Sequence, residues 1–212
     1  MPAMNHDSRP NALDMPPSLP DARAQAVLDF WFGAPGSAEY GQERRLWFKK
    51  SAATDRRIRE LFGSLHAQAV AGQCDAWVAA PLGACALIIV LDQFSRNLFR
   101  DHPSAFAADA QAVGIAASLV HAGIDRQLPT PMHRSFVYLP FEHDENEASQ
   151  HLSLKLFGAL EQETGWADPR VWAEKHAAVV ARFGRFPHRN AVLGRISSPD
   201  EMAFLQERGA RF

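Results

Sequence analysis

Asp92, Arg96 and Arg100 stand at i, i+4 and i+8 in the stretch Leu87–Arg100, LIIVLDQFSRNLFR. At about 100° per residue they share one face of a helix, with Gln93 and Asn97 flanking them. Leu87, Leu91, Phe94 and Leu98 fall on the opposite face, while Ile89 points the same way as the charges. Charges that continue an apolar face sit beside a core, where an isolated charge is costly. They therefore need partners from elsewhere in the chain. The reading with least chemistry is an Asp92–Arg96 pair on a half-exposed helix, worth about a few tenths of a kcal/mol.

Two other segments set polar side chains among apolar ones. Tyr138–Glu145 reads YLPFEHDE and Arg182–Asn190 reads RFGRFPHRN. If the three segments meet, their arginines, histidines and carboxylates can satisfy one another. One outcome is a buried ion-pair network that fixes helix ends. The other is a pocket in which some guanidinium groups are left for a ligand. For acid–base work the candidates are Glu142, His143, Glu145 and His188, because a carboxylate can orient an imidazole. For ligand binding they are Asp92, Gln93, Arg96, Asn97, Arg100, Tyr138, Arg182, Arg185, Arg189 and Asn190. Arginine suits a carboxylate or phosphate held by two parallel bonds. Metal ligation has little support: His143 with Glu145, and Glu147 with His151, form no HExxH and no closed Cys/His set. Ser95, Ser135 and Cys85 lie in no nucleophile elbow. There is no P-loop and no GxGxxG, so no cofactor is indicated.

The elements that must position these residues read as helices. Asp21 caps a helix carrying Ala24, Val27, Leu28 and Trp31 on one face, with Gly33 past its end. After the aromatic segment Arg44–Lys50, Thr54 is a cap for a helix with Ile58, Leu61, Phe62, Leu65 and Ala69 inward. Asp75–Ala80 is a short turn closed by Pro81, and the central helix ends near Arg100. Pro103 fits the first position of another helix, with Phe106, Ala110, Val113, Ala117 and Val120 as its stripe. Thr130-Pro131 opens a short helix broken at Pro140. Glu147–Gln162 follows with Leu152, Leu156 and Leu160 on one side, then Val171–Phe183 with Trp172, His176, Val179 and Phe183 inward. Ser198-Pro199-Asp200-Glu201 is a capping box that opens a last helix. No stretch alternates with period two, so the fold is all-α.

Composition bounds the rest. The chain has 212 residues, 47% hydrophobic, enough for one core. Five of the fourteen prolines fall in residues 1–20, read as a disordered tail ahead of a single domain over 21–212. A net charge of −2 gives no global attraction to nucleic acid or an anionic membrane. The longest apolar run, Ala84–Leu91, is too short to span a bilayer. Cys74 and Cys85, in no CxxC, read as free thiols of a cytoplasmic protein.

LDQFSRNLFR, YLPFEHDE and RFGRFPHRNAVLGR, with the opening VLDFWFG, together resemble an uncharacterised bacterial family, the domain of unknown function numbered 924. The resemblance runs from about Ala22 to the C-terminus and implies a tetratricopeptide-like right-handed superhelix of about eight or nine helices. It implies a site, not a reaction. Family members read serine at the position of Asp144 and carry an acid at that of His151, so neither residue is carried over. The leading functional expectation is a pocket for a small anionic molecule or a peptide carboxylate. The second is a hydrolase or lyase using His143 or His188 with a glutamate. The third is a protein-interaction scaffold with an exposed apolar groove away from the three motifs. Pairing with a second copy as a homodimer stays open.

Overall fold

The structure, a computed structural model, describes residues 21–210. The tail expected over 1–20 lies outside the described residues. Every regular element described is helical. The first four helices are α1 (Ala22–Phe32), α2 (Arg45–Phe48), α3 (Ala52–Val70) and α4 (Pro81–Ile88). α4 runs on through a π-helical turn, Ile89–Phe94, into α5, Ser95–Leu98. Then come α6 (Asp109–His121), α7 (Pro131–His143), α8 (Glu147–Thr164), α9 (Asp168–Phe183) and α10 (Pro199–Phe204).

α4 and its π turn form the axis of the core. No face of Ala84–Leu91 is polar, so each must be covered, and all eight residues are buried. α1, α6 and α7 cover α4, while α3 packs on the π turn and α5. Small side chains set the closest approaches. Gly83 passes so near residue 77 that a Cβ there would lie 2.3 Å from the Trp77 carbonyl oxygen. Trp31 meets Phe94 and Phe136 edge to face, with ring centroids 5.6 and 5.5 Å apart, the arrangement that aromatic quadrupoles favour. α7, α8 and α9 pack one on the next, the neighbour-to-neighbour pattern of helical arrays. The segment after α9 turns back onto the end of α7.

Several boundaries differ from the sequence expectation. Ser51, not Thr54, caps α3: its hydroxyl accepts from the backbone N–H of Thr54 at 3.2 Å. Pro103 opens only a 3-10 turn, Pro103–Ala105, and α6 begins at Asp109. Its fully buried residues are then Ala112, Ala116 and Leu119 rather than the expected stripe, because short alanines let α6 approach α4 closely. Leu61 and Trp172 face outward. Pro140 does not break α7, which continues to His143. Proline removes one backbone donor without ending the helix, and the carbonyls that any helix leaves open in its last turn find outside partners here. The side-chain amide of Gln150 donates to the carbonyls of Phe141, Glu142 and Asp144 at 3.1, 2.8 and 2.7 Å. Arg189 takes the carbonyl of His143 at 2.8 Å. Two side chains from other elements thus close a helix end that has no glycine.

We expect Gly83→Ala to destabilise the protein by about 2–3 kcal/mol, since the new methyl meets backbone rather than a side chain that can move. A thermal melt should fall by roughly 5–10 °C; an unchanged melt would show that α4 can shift away from Trp77.

Candidate functional site

The π turn places Asp92 beneath the surface, 1% exposed. Widened turns of this kind free carbonyls and recur at functional sites. Here Ser95 Oγ donates to the Leu91 carbonyl at 2.6 Å and Arg96 Nη1 to that of Asp92 at 2.8 Å. The Asp92 carboxylate collects three partners. Gln93 Nε2 donates to Oδ2 at 2.5 Å, while His143 Nδ1 and Arg96 Nη1 lie 2.8 and 2.9 Å from Oδ1. Burial works against its charge, yet Arg96, His143 and Gln93 hold the carboxyl below the usual carboxylate range.

Arg96 reaches onward to Asp109, the first residue of α6, with Nη1 and Nη2 each 3.0 Å from a carboxylate oxygen. On the far side of Asp109 lies Arg189, its Nη1 3.5 Å from Oδ2. The Arg189 guanidinium carbon sits 4.6 Å from the centroids of both Phe106 and Phe186. Its Nη2 donates to the carbonyl of His143. The contacts close into a ring: Arg189, Asp109, Arg96, Asp92, His143 and back to Arg189. Two carboxylates and two guanidinium groups alternate around a neutral imidazole. Burial, with Asp92 close by, raises the Asp109 carboxyl despite its two arginines. Burial and the neighbouring Arg96 push Arg189 down to about 10.

His143 is the chemically open member. Asp92 can only accept, so the proton sits on Nδ1. Nε2 bonds no group among the described residues and is not one of the sealed, unpartnered atoms, and the side chain is 15% exposed. Burial lowers the imidazole's pKa, against the pull of Asp92. At neutral pH the ring therefore presents a lone pair at Nε2, with its orientation set by a buried carboxylate.

Behind it lie two more neutral groups. Burial, with Asp92 adding, pushes Glu142 up to about 8, and burial pushes His176 down to about 3. Their 3.1 Å contact is therefore not an ion pair. His176 Nδ1 also lies 2.9 Å from the Trp172 carbonyl. Glu142 Oε2 is buried without a hydrogen-bond partner among the described residues. Glu145 is bound by Arg195 at 2.5 and 2.8 Å and accepts from the backbone N–H of Phe186 at 2.7 Å. That clamp holds the ring on which Arg189 rests. Burial and Arg189 push the nearby His188 down to about 4.

Of the residues singled out from sequence, Asp92, Gln93, Arg96, Glu142, His143, Glu145, His188 and Arg189 gather here. The others stand apart. Asn97, on the α3 side of α5, and Arg100, beyond the end of α5 at Leu98, both bind Asp55 of α3. Tyr138 donates to Asp125 at 2.5 Å on another side of α7. Arg182 is exposed over Phe183. Arg185 binds Glu201, and Asn190 donates to Ser197. The expected surplus of arginine is thus largely matched by carboxylates outside the three segments, Asp55, Asp109 and Glu201. Asp109, Phe106, Gln150 and Arg195 were missed. Asp109 is the one acid in an alanine-rich run, a signal hidden by starting that helix at Pro103. His66 and Ser95 form a 2.7 Å hydrogen bond resembling a base and nucleophile, but both are buried in the core. Among the described residues no group of three or more His, Cys, Asp or Glu could hold a metal ion, and no helix is long and apolar enough to cross a membrane.

Residues 27–209 match the model of a family described as bacterial protein of unknown function, DUF924. The chain is also similar to a solved structure, the protein of unknown function ATU0120 from Agrobacterium tumefaciens. The two are 34% identical with a TM-score of 0.74, over 87% of this chain and 97% of that one. No curated protein matches.

The titrations here set opposite slopes. An unfolded glutamate loses its proton near 4.5, whereas folded Glu142 keeps its proton to about 8. The stability this contributes is complete below 4.5 and is lost as pH rises to about 8. Folded His176 and His188 stay neutral down to about 3 and 4. Their contribution is complete above 6.5 and is lost as pH falls. From about pH 6.5 to 8 only Glu142 of the three sets the slope, and we expect stability to fall by on the order of 1 kcal/mol per pH unit. Glu142→Gln should flatten that window in urea unfolding; an equal slope in the variant would place the titration elsewhere.

Proposed function

On the premise that the chain belongs to this bacterial family of unknown function, we propose that Asp92 and His143 are the working pair of a small-molecule site, with the imidazole as general base. The observation that carries the reading is the division of labour on one ring. Nδ1 is held by a carboxylate that cannot turn away, while Nε2 is neutral and reachable. A substrate O–H or N–H placed against Nε2 gives up its proton there, and Asp92 stabilises the imidazolium that forms. Such assistance is worth roughly 10²–10⁴ in rate. The surrounding ring of charges supports the pair by fixing the backbone and the carboxylate together. The setting is cytoplasmic, which the unpaired buried thiols of Cys74 and Cys85 suit.

A second reading, binding of a small anion or a peptide carboxylate, is favoured by Arg189. Among the described residues its only carboxylate contact is a long one, to Asp109 at 3.5 Å; Nη2 holds the His143 carbonyl, and Nε is buried with no hydrogen-bond partner. The two readings combine if the substrate itself is anionic.

Diethyl pyrocarbonate modifies neutral, accessible imidazoles. We expect it to label His143 well before buried His133 and His176. A panel of esters, amides and phosphoesters should then be screened, and any turnover found should fall at least about 100-fold in His143→Gln and in Asp92→Asn. Protection of His143 from the reagent, or full turnover by His143→Gln, would overturn the reading.

A further inference from the structure

We propose that the ledge formed by Arg45–Lys50 is a docking site for an acidic peptide segment of another protein, independent of the His143 site. The segment reads RLWFKK. Phe48 is 73% exposed, second only to Ile196 among the large apolar side chains of the described residues. Unlike a frayed end, it sits on a pinned support. Trp47 Nε1 donates to the Trp31 carbonyl at 2.8 Å and Arg44 Nη1 to that of Phe30 at 2.5 Å. The Phe48 ring lies nearly parallel to buried Phe136, 8° between planes at a centroid distance of 6.3 Å. An exposed phenyl ring on a backbone held at its neighbours costs little chain ordering when a partner covers it, as with interface anchors.

Beside Phe48 lies a shallow open hollow bounded by Glu43, Arg44, Arg45, Trp47 and Lys49. Arg45, Lys49 and Lys50 are exposed, and none forms an ion pair among the described residues. Of the acids nearest in sequence, Glu39 pairs with Arg44, while Glu43 lines the hollow itself and accepts from Trp166 Nε1. The ledge is therefore an exposed aromatic side chain and a hollow, rimmed by three positive charges and one carboxylate, a local excess of cations on a chain of net charge −2. Rim charges of one sign select a partner of the other sign and speed its encounter.

The features choose among occupants. A second copy related by a twofold axis would bring the three cations against themselves. A nucleic acid needs a longer cationic track than three residues. A lipid surface needs no hollow, whereas a peptide side chain fills one. What fits is a short segment with acidic residues around one aromatic or branched aliphatic side chain.

The test is a random-peptide display selection on the full chain, followed by fluorescence anisotropy with the best recovered peptide. We expect a net acidic consensus with one large apolar residue. Its affinity should weaken at least 10-fold in Phe48→Ala and in the double variant Lys49→Glu, Lys50→Glu. Both changes lie on the surface, so the thermal melt should hold, and His143 labelling should be unchanged. Recovery of no peptide, a consensus without acids, or binding indifferent to these substitutions would overturn the proposal. So would wild-type binding to phosphatidylserine vesicles or to oligouridylate that Phe48→Ala abolishes, since that would assign the ledge to lipid or RNA.

Discussion

The closed ring of Arg189, Asp109, Arg96, Asp92 and His143 is the constraint on which the architecture turns. Each charge is buried or nearly so, and each is tolerable only because the next residue carries the opposite sign or a hydrogen bond. The ring draws its members from the π turn running into α5, the start of α6, the end of α7 and the segment after α9. Four pieces of chain distant in sequence thus meet at one place with little latitude. Removing any one of the ring's four charged side chains would leave an uncompensated charge near the core, a larger loss than the pair itself contributes.

The ring also explains features that look unrelated. α4 is apolar on every side until it reaches Asp92, and there the helix widens. The wider turn lets the side chains of Ser95 and Arg96 occupy carbonyls of their own helix. α7 runs through Pro140, and its last carbonyls are taken by Gln150 and Arg189. Asp109 opens α6 where an acid also suits the positive end of a helix dipole. Local irregularity, costly in isolation, is concentrated where the buried charges need it.

Much of the fold was legible in the sequence. Asp21 as a cap, the inward face of α1, the free buried cysteines and the capping box at Ser198 follow from short-range rules that act within one or two turns. The meeting of the three polar segments was legible as well, because buried charges must find partners. What escaped was long-range or depended on register. Nothing near Gln150 announces that its amide will cap a neighbouring helix. Pro103 carries a helix-start signal, but the chain uses it for a single turn. An alanine such as Ala112 looks the same on a buried face as on an exposed one. A π turn adds a residue to the count, so a projection at constant angle loses its register beyond Phe94. Arg100 was assigned to the site by such a projection and instead binds Asp55. The all-helical fold came from the residues' own periodicity; the resemblance to a known family implied a tetratricopeptide-like arrangement but no chemistry.

Arg189 closes the ring from a position late in the chain, long after Asp92, Asp109 and His143 have been synthesised. A nascent polypeptide released from the ribosome only as far as α8 holds both carboxylates and one guanidinium, a net negative and unfinished centre. The last turn of α7 then lacks one of its two outside caps, and the His143 carbonyl is left without its arginine. Maturation of the site is therefore tied to arrival of the C-terminal segment, and a chain cut short by translational arrest would carry the helices without the centre they surround.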